Sequence, residues 1–438
     1  MNTLSQGYKW FLNGVVMLLF IFGYSQNNTT AIHKNIQQHS DSIYNSLVEV
    51  RRDLHKHPEV SGEEKRTAAI VEQYLNDLGL EVKTGVGGYG VIGILQGDKP
   101  GKKVAWRADM DAMSSKHKED LEFRSVIEGK RHICGHDVHT TIALGMANVL
   151  AKQKQDLEGT VYFIFQPSEE NYKGAKTMLA DGIFDIIQPD EIYAAHLSPM
   201  PAGLIATKPL YLFADYKQIN IQFKTKHQDS ALVAFTKNAI KKLQNVAIDS
   251  KFWDTRNLMD PQIGIGSKNT IFKNYITVDK QFKVKHDDGI LTITGYVSAD
   301  DSAVINKLPV QVEQTIMNSK YGKLLIEVNY DSDMISYSPD RGNIDNDPAL
   351  SANAIAAITS IYGQGSAIEL TGVIPDGRGD DFSYFQREVP GVYFLIGGSN
   401  FEKGIIAMPH SPNFAVDESC IKTGVNYFSS LLAQRLSN

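Results

Sequence analysis

The sequence predicts an α/β protein, a layered domain around a mostly parallel sheet, with a small α+β domain inserted into it. Three observations carry this reading. Continuous apolar runs, Val161-Tyr162-Phe163-Ile164-Phe165 and Ile192-Tyr193-Ala194-Ala195, alternate with helical patterns, as strands buried on both faces do. From about residue 215 the strands become half-exposed, and beyond residue 331 the first texture returns. A chain of 438 residues also exceeds one compact core.

The elements follow in order. Lys9 leads an apolar run, Trp10 to Tyr24, closed by polar Ser25-Gln26-Asn27-Asn28. The run falls short of the roughly 20 residues that span a bilayer, and its flanks read as a signal peptide over residues 1–26, cleaved near Ser25-Gln26. Export to the periplasm or the extracellular space follows, with no stable membrane span after cleavage; an uncleaved N-terminal anchor is the competing reading. The larger domain then takes residues 33–214 and 332–438, and the insert takes 215–331. Ile43, Leu47, Val50 and Leu54 mark one amphipathic helix, and Ile70, Val71, Tyr74, Leu75 and Leu78 a second. Gly85 to Gly88 punctuate before strands at Val91–Leu95 and Val104–Arg107. A helix carrying Ile142, Met146, Val149 and Leu150 comes next.

In the insert, Ile219 to Phe223 alternates as a strand, and Leu232, Phe235, Ala239, Ile240 and Leu243 mark a helix. Phe282–Lys285 and Leu291–Thr294 form a hairpin turned by Asp287-Asp288-Gly289. A second helix covers about 302–319, and Leu324–Val328 is the closing strand. The last block holds a strand from Val392 to Ile396 and a helix with Ile421, Val425, Phe428 and Leu432.

Composition narrows the field. Apolar and charged fractions, 42% and 21%, are those of an ordinary globular chain. A net charge of −6 leaves no basic footprint, which excludes nucleic acid as a partner. Two cysteines, Cys134 and Cys420, do not make a disulfide framework. Their pairing is open to an exported chain, but a buried, apolar Cys420 is the preferred reading.

Chemistry concentrates at residues 132–139, His-Ile-Cys-Gly-His-Asp-Val-His, read as a short Gly-bearing loop. The Cys-x-His spacing turns Cys134 and His136 the same way, as a metal pair requires; a helix-capping turn with surface histidines competes. Other candidates follow apolar strands: Asp109 and Asp111, Glu169-Glu170, His196, and His410 within Met408-Pro409-His410-Ser411-Pro412. Ligands of open α/β sheets bind at the carboxyl ends of strands, where such groups converge. Each also has a bland reading: a solvated turn, a satisfied histidine, a helix cap. Joint occurrence favours a site.

Arg107-Ala108-Asp109-Met110-Asp111-Ala112, Cys134-Gly135-His136-Asp137-Val138-His139, Gln166-Pro167-Ser168-Glu169-Glu170 and His410-Ser411-Pro412 resemble the signature blocks of the amidohydrolase branch of the dinuclear metallopeptidases. That branch includes hippurate hydrolases, N-acyl-amino-acid deacetylases and auxin-conjugate hydrolases. Arg51 to His55, Pro201-Ala202-Gly203 and Asp381-Phe382 agree with it. The resemblance implies a dinuclear zinc-peptidase-like catalytic domain with a ferredoxin-like lid or dimerisation domain. It makes Cys134, His136, Glu170, His196 and His410 ligands of two divalent ions, Zn²⁺ or Mn²⁺. Glu169 matches the catalytic glutamate. Asp109, Asp111 and Asp137 are expected to support the ligands, as are His132 and His139. The implied reaction is hydrolysis of a small N-acyl-amino acid, and the implied assembly a homodimer through the insert.

The insert departs from the pattern. Lys224-Thr225-Lys226-His227-Gln228-Asp229 lacks the family's glycines, and His227 either stabilises an oxyanion from the lid or is an exposed strand-end histidine. Gly295-Tyr296-Val297-Ser298 ends in Ser298 where the family carries an arginine. An arginine fork suits a substrate carboxylate, so that end of the substrate is open. Asn274 is a candidate lid contact. A dinuclear dipeptidase or aminopeptidase is a competing enzyme, and an exported, non-catalytic binding protein a competing class.

Overall fold

The computed structural model describes residues 31–117, 119–331, 343–375 and 379–437. The expected signal peptide lies outside the described residues. Among the described residues no helix is long and apolar enough to cross a membrane.

Eight strands form the central sheet. Their spatial order is Glu81–Val86, Gly90–Gln96, Glu158–Gln166, Lys99–Asp109, Glu191–Pro201, Gly391–Ser399, Ile205–Thr207 and Ala367–Glu369. The four central strands run parallel, so their carboxyl ends share one edge. The outer strands break the pattern: Gly90–Gln96 and Ile205–Thr207 each run antiparallel to their inner neighbour. Gly85, Gly87 and Gly88 hold positive φ at the outer hairpin, which is the punctuation read between Thr84 and Tyr89.

Helices His136–Ala151 and Ser419–Leu436 pack on one face of the sheet, where Trp106 lies 4.4 Å from Phe428 between ring centroids. Close approach seats the helix that His136 opens. A Cβ on Gly145 would lie 2.5 Å from Val425 Cγ2 and 2.7 Å from Leu47 Cδ1, and one on Gly424 would lie 2.6 Å from Ile142 Cδ1. A second core, with Phe382, Phe385, Tyr393 and Ile164, fills the opposite face. Cys134 and Cys420 are both free and buried, with Cys420 inside the first core.

The insert forms a separate five-stranded antiparallel sheet covered by helices Ser230–Lys241 and Leu308–Met317. Ile219, Ile221, Phe223, Leu232, Ile293 and Ile316 make its core. Asp288 and Gly289 take φ of 46° and 78° between paired Asp287 and Ile290, the geometry of a two-residue hairpin turn. The helix expected over 302–319 is two helices, Ser302–Ile305 and Leu308–Met317. Pro309 lies in the first turn of the second, where its missing N–H costs nothing, and it cannot extend the first. The final strand is Leu325–Tyr330, preceded by a 3₁₀ turn.

One segment departs from a simple insertion. Phe252, Leu258, Ile265, Phe272 and Tyr275 do not join the insert's core; they pack into the larger domain with Leu370 and Val373.

Gly145→Val should destabilise the protein by about 1–3 kcal/mol, because overpacking against Val425 and Leu47 outweighs a helix-propensity gain below about 1 kcal/mol. A lowered denaturant midpoint at unchanged slope is the expected result; an unchanged midpoint would show that the interface can open.

Candidate metal centre

Backbone devices deliver the side chains. Asp109 ends its strand, and the strand's neighbour in register at that point is Gln166. Gly135, at φ 100°, turns the chain sharply into the helix, and a Cβ there would lie 2.5 Å from Leu197 Cδ1. His136 is therefore the first residue of a helix, and His136 to His139 form its first turn rather than a loop. Ser168, Tyr172 and His410 hold φ of 57°, 59° and 60° without being glycine. Left-handed backbone at three non-glycine positions is strain concentrated where Glu169, Glu170 and His410 are aimed. His196 lies within the strand Glu191–Pro201, not after it, because that strand runs on past the apolar stretch.

These elements bring the five expected ligands together. Cys134 Sγ lies 3.1 Å from both His196 Nε2 and His410 Nε2. His410 Nε2 is 3.4 Å from Glu170 Oε1, and His136 Nε2 is 3.8 Å from the same oxygen. Two groups, Cys134 with His136 and His196, and Cys134 with Glu170 and His410, each keep their ligand atoms within 4.8 Å of one another. They share the sulfur. Glu169 belongs to neither of these, though it stands with His136 and Glu170 in a further group of the same spread; its Oε2 is 3.9 Å from His136 Nε2.

Hydrogen bonds fix the imidazoles. Asp111 Oδ1 faces His136 Nδ1 at 3.2 Å, while Asp111 Oδ2 accepts from the Ser61 hydroxyl at 2.6 Å and the Glu170 N–H at 2.9 Å. His139 Nε2 accepts the Leu197 N–H at 2.8 Å, which leaves its Nδ1 to donate to Asp109 Oδ1 at 2.7 Å. Asp137 faces the other way. Its Oδ2 lies 2.8 Å from both Arg51 Nε and His55 Nδ1, so it anchors the helix start and touches none of the expected ligands. His132 is buried, and both its ring nitrogens lack a partner among the described residues.

A second ring of residues is only partly signalled in the sequence. Buried Arg107 donates to Gln166 at 2.8 Å, Asp109 at 2.6 Å, Asp380 at 3.2 Å and Asp381 at 3.0 Å. Tyr393 donates to Asp380 at 2.6 Å. Arg107 and Asp381 stand in signature blocks, but Asp380 and Tyr393 are found only through contact. A charged residue inside an otherwise apolar strand, Trp106-Arg107-Ala108, is the one hint.

The donor set fits cations. Burial, then the charges of Glu170, Glu169 and Asp109, pushes the Cys134 thiol up. Burial, then Asp380, Glu170 and Asp381, keeps the Glu169 carboxyl well above the usual range. Burial opposes charge on His136, yet Asp109, Asp111 and Glu170 outweigh it and lift the imidazole to about 10. Among the described residues, negative groups therefore outnumber the single guanidinium that serves them. His136 Nε2 and Glu170 Oε1 are buried and have no hydrogen-bond partner among the described residues, although buried polar atoms are rarely left so. Both face the space where the two ligand groups meet.

His227 is not brought to this cluster within the chain; it is exposed just past the strand Asp215–Lys224 of the insert. Ser298 is buried, its hydroxyl without a partner among the described residues. Asn274, at φ 55°, donates its N–H to Asp300, so its contact is within the insert. A cavity of about 350 Å³ opens beside Cys134, Glu169, Glu170, His196 and His410.

A thiol, imidazoles and carboxylates at the carboxyl edge of a parallel sheet, with a spare buried glutamate and a cavity, define a metal-dependent hydrolase of amide bonds. The chain belongs to the peptidase family M20/M25/M40, whose family model matches residues 105–434. It is 32% identical over 401 residues to thermostable carboxypeptidase 1 of Saccharolobus solfataricus, covering 90% of this chain and 95% of that one. It is 29% identical over 405 residues to N-acetyldiaminopimelate deacetylase of Streptococcus uberis, covering 90% and 99%. The Bacillus subtilis YXEP protein, a dinuclear metal-binding peptidase of the M20 family, shares the fold with TM-score 0.68 at 24% identity, over 90% of this chain and 99% of that one.

Glu64 supports the loop that carries Glu169. Its Oε1 accepts the N–H groups of Ser168 at 2.7 Å and Gly62 at 3.0 Å. Burial and nearby Asp111 push its pKa up to about 7. A raised carboxyl pKa favours the folded state below the unfolded value and loses that advantage as pH rises to about 7. In metal-free protein, Glu64→Gln should therefore melt increasingly above the parent as pH goes from 4 to 8. A melting-temperature difference that ignores pH would remove Glu64 from this linkage.

Proposed function

We propose that the protein hydrolyses N-acyl-amino acids to a carboxylate and a free amino acid, with Glu169 as general base. The observation that carries this reading is Glu169 itself, buried against Glu170 and His136 but outside both ligand groups that share Cys134. Cys134, His136, His196, Glu170 and His410 would hold two divalent ions, Zn²⁺ or Mn²⁺, for which a mixed S/N/O set is suited. Bound there, the ions supply Lewis acidity to a water and to the amide carbonyl. Glu169 takes the proton from that water and returns it to the departing amine. Asp111 holds His136 in one orientation, as a carboxylate behind a metal-bound imidazole does, and Asp109 fixes the supporting His139.

Relatives named for deacetylation and for hydrolysis of IAA-amino acids support acyl-amide substrates. The carboxypeptidase relative supports peptides as the second substrate class. A general base has no use in a pure binding protein, which speaks against that class. The leader sequence supports export. Among the described residues, strand Leu325–Tyr330 ends the insert's sheet with pairing on one side only, and Ile326 on it is 48% exposed. Such an edge supports pairing with a second copy, the arrangement in which His227 would reach a neighbouring site.

Glu169→Gln should bind metal as the parent does while kcat falls about 10²–10⁴-fold; metal analysis and turnover on an N-acyl-amino-acid and dipeptide panel read both. Parent-like turnover would strip Glu169 of this role. Cys134→Ser, which removes the sulfur common to both groups, should lower the metal content, and an unchanged stoichiometry would rule Cys134 out as a ligand.

A further inference from the structure

The cavity has one wall that the reaction chemistry does not need. Beyond its titratable groups the lining includes Phe213, Leu258, Met259, Ile265, Leu395 and Met408, with Ser198 and Thr255 as polar neighbours. Three of these, Leu258, Met259 and Ile265, belong to the segment of the insert that packs into the larger domain. The segment is held firmly. Thr371 and Gly372 donate their N–H groups to the Ile265 carbonyl at 2.9 and 2.8 Å, and Val373 donates to the Phe272 carbonyl at 2.8 Å. Phe252 is buried against Phe272 and Tyr275, at 5.2 and 4.8 Å between ring centroids. Gly372 permits the approach, since a Cβ there would lie 3.0 Å from Ile265 Cα and 2.8 Å from Thr270 Oγ1.

Packing alone does not account for the whole wall. Met259 lines the cavity yet is 36% exposed, and an apolar side chain kept open on a concave surface suits an apolar ligand. Methionine also adapts its shape to what it meets. The apolar side chains of the wall suit the hydrocarbon of an acyl group.

We propose that Leu258, Met259 and Ile265 form an apolar acyl subsite that selects medium-chain or aromatic N-acyl groups over acetyl. The inference rests on the acyl-amide reading above, and its test is one of binding, independent of turnover. Glu169→Gln protein supplied with Zn²⁺ is titrated calorimetrically with N-acetyl-, N-butanoyl-, N-hexanoyl- and N-benzoylglycine. Affinity should rise about threefold to fourfold per buried methylene. Met259→Glu, a change at a partly exposed position, should weaken hexanoyl binding about tenfold or more and leave acetyl binding within about twofold. Gly372→Val should flatten the series without adding charge, by displacing the wall. A flat series in the starting protein, a gradient that survives both changes, or no binding at millimolar ligand would each overturn the subsite. A gradient in binding with no hydrolysis of any of these amides by unmutated protein would leave the subsite standing and overturn the hydrolase reading instead.

Discussion

The structure is organised around an excess of buried negative groups. Asp109, Asp111, Glu169, Asp380 and Asp381 are all buried, with Glu170 and Cys134 against them, and among the described residues Arg107 is the one guanidinium that meets them. Burying a carboxylate is costly unless a cation or several donors face it. Arg107 serves three aspartates at once, and Asp381 still sits at about 8, because burial outweighs the guanidinium's pull and Asp380 adds to it. Without ions the remaining mismatch is met by protons: on His136, on the Cys134 thiol, on the Glu169 carboxyl. Cations held by Cys134 and His136 would displace the protons there, because a ligating thiol or imidazole must give up its own, and their charge would favour the ionised Glu169 beside them. Much of the surrounding fold serves to keep this arrangement from relaxing. Left-handed Ser168 and His410, the tight start of the helix at Gly135, and the close helix contact at Gly145 each fix one strand end relative to the others.

What the sequence discloses follows from the range of the forces involved. Buried central strands read clearly, since an apolar run such as Val161 to Phe165 is set by burial on both faces. The hairpin at Asp288-Gly289 read equally well, because two positive φ values are a local demand. Cys134 and His136 stand out locally because thiol and imidazole side chains are rare and their spacing is short, whereas Glu170, His196 and His410 are expected as ligands only through the family resemblance. Positions that depend on tertiary contact were harder. Nothing local shows that His136 opens a helix instead of lying in a loop, or that the strand around His196 continues to Pro201. Asp137 sits in the same motif as His136, yet helical geometry turns it toward Arg51 and His55. Asp380 meets Arg107 across most of the chain and Tyr393 in turn donates to Asp380, and a single sequence carries no sign of such contacts.

The segment from 250 to 275 is the sharpest case. It lacks helical or strand periodicity, so by pattern it reads as connection between two elements of the insert. Its order comes instead from backbone donors at 371–373 and from aromatic burial of Phe252. The backbone bonds are made with the larger domain and the aromatic contacts within the segment, whose buried side chains join the larger domain's core; together they turn a linker into a wall beside the metal centre.

This separates two jobs that share one cavity. The reaction centre is built from ends of parallel strands, where any displacement would misplace several charged groups together; its geometry is therefore constrained by the whole core. The wall is a short stretch pinned at a few backbone points, so its side chains can differ without disturbing the charge balance around Arg107. In this chain the insert's first loop lacks glycines, and Ser298 is buried where an arginine is expected. Side chains from the same chain's insert nevertheless line the cavity through Leu258, Met259 and Ile265. Contact between insert and site is thus retained by apolar surface within one chain. Substrate selection there depends on the fit of a hydrocarbon group, while the chemistry continues to depend on the buried charges.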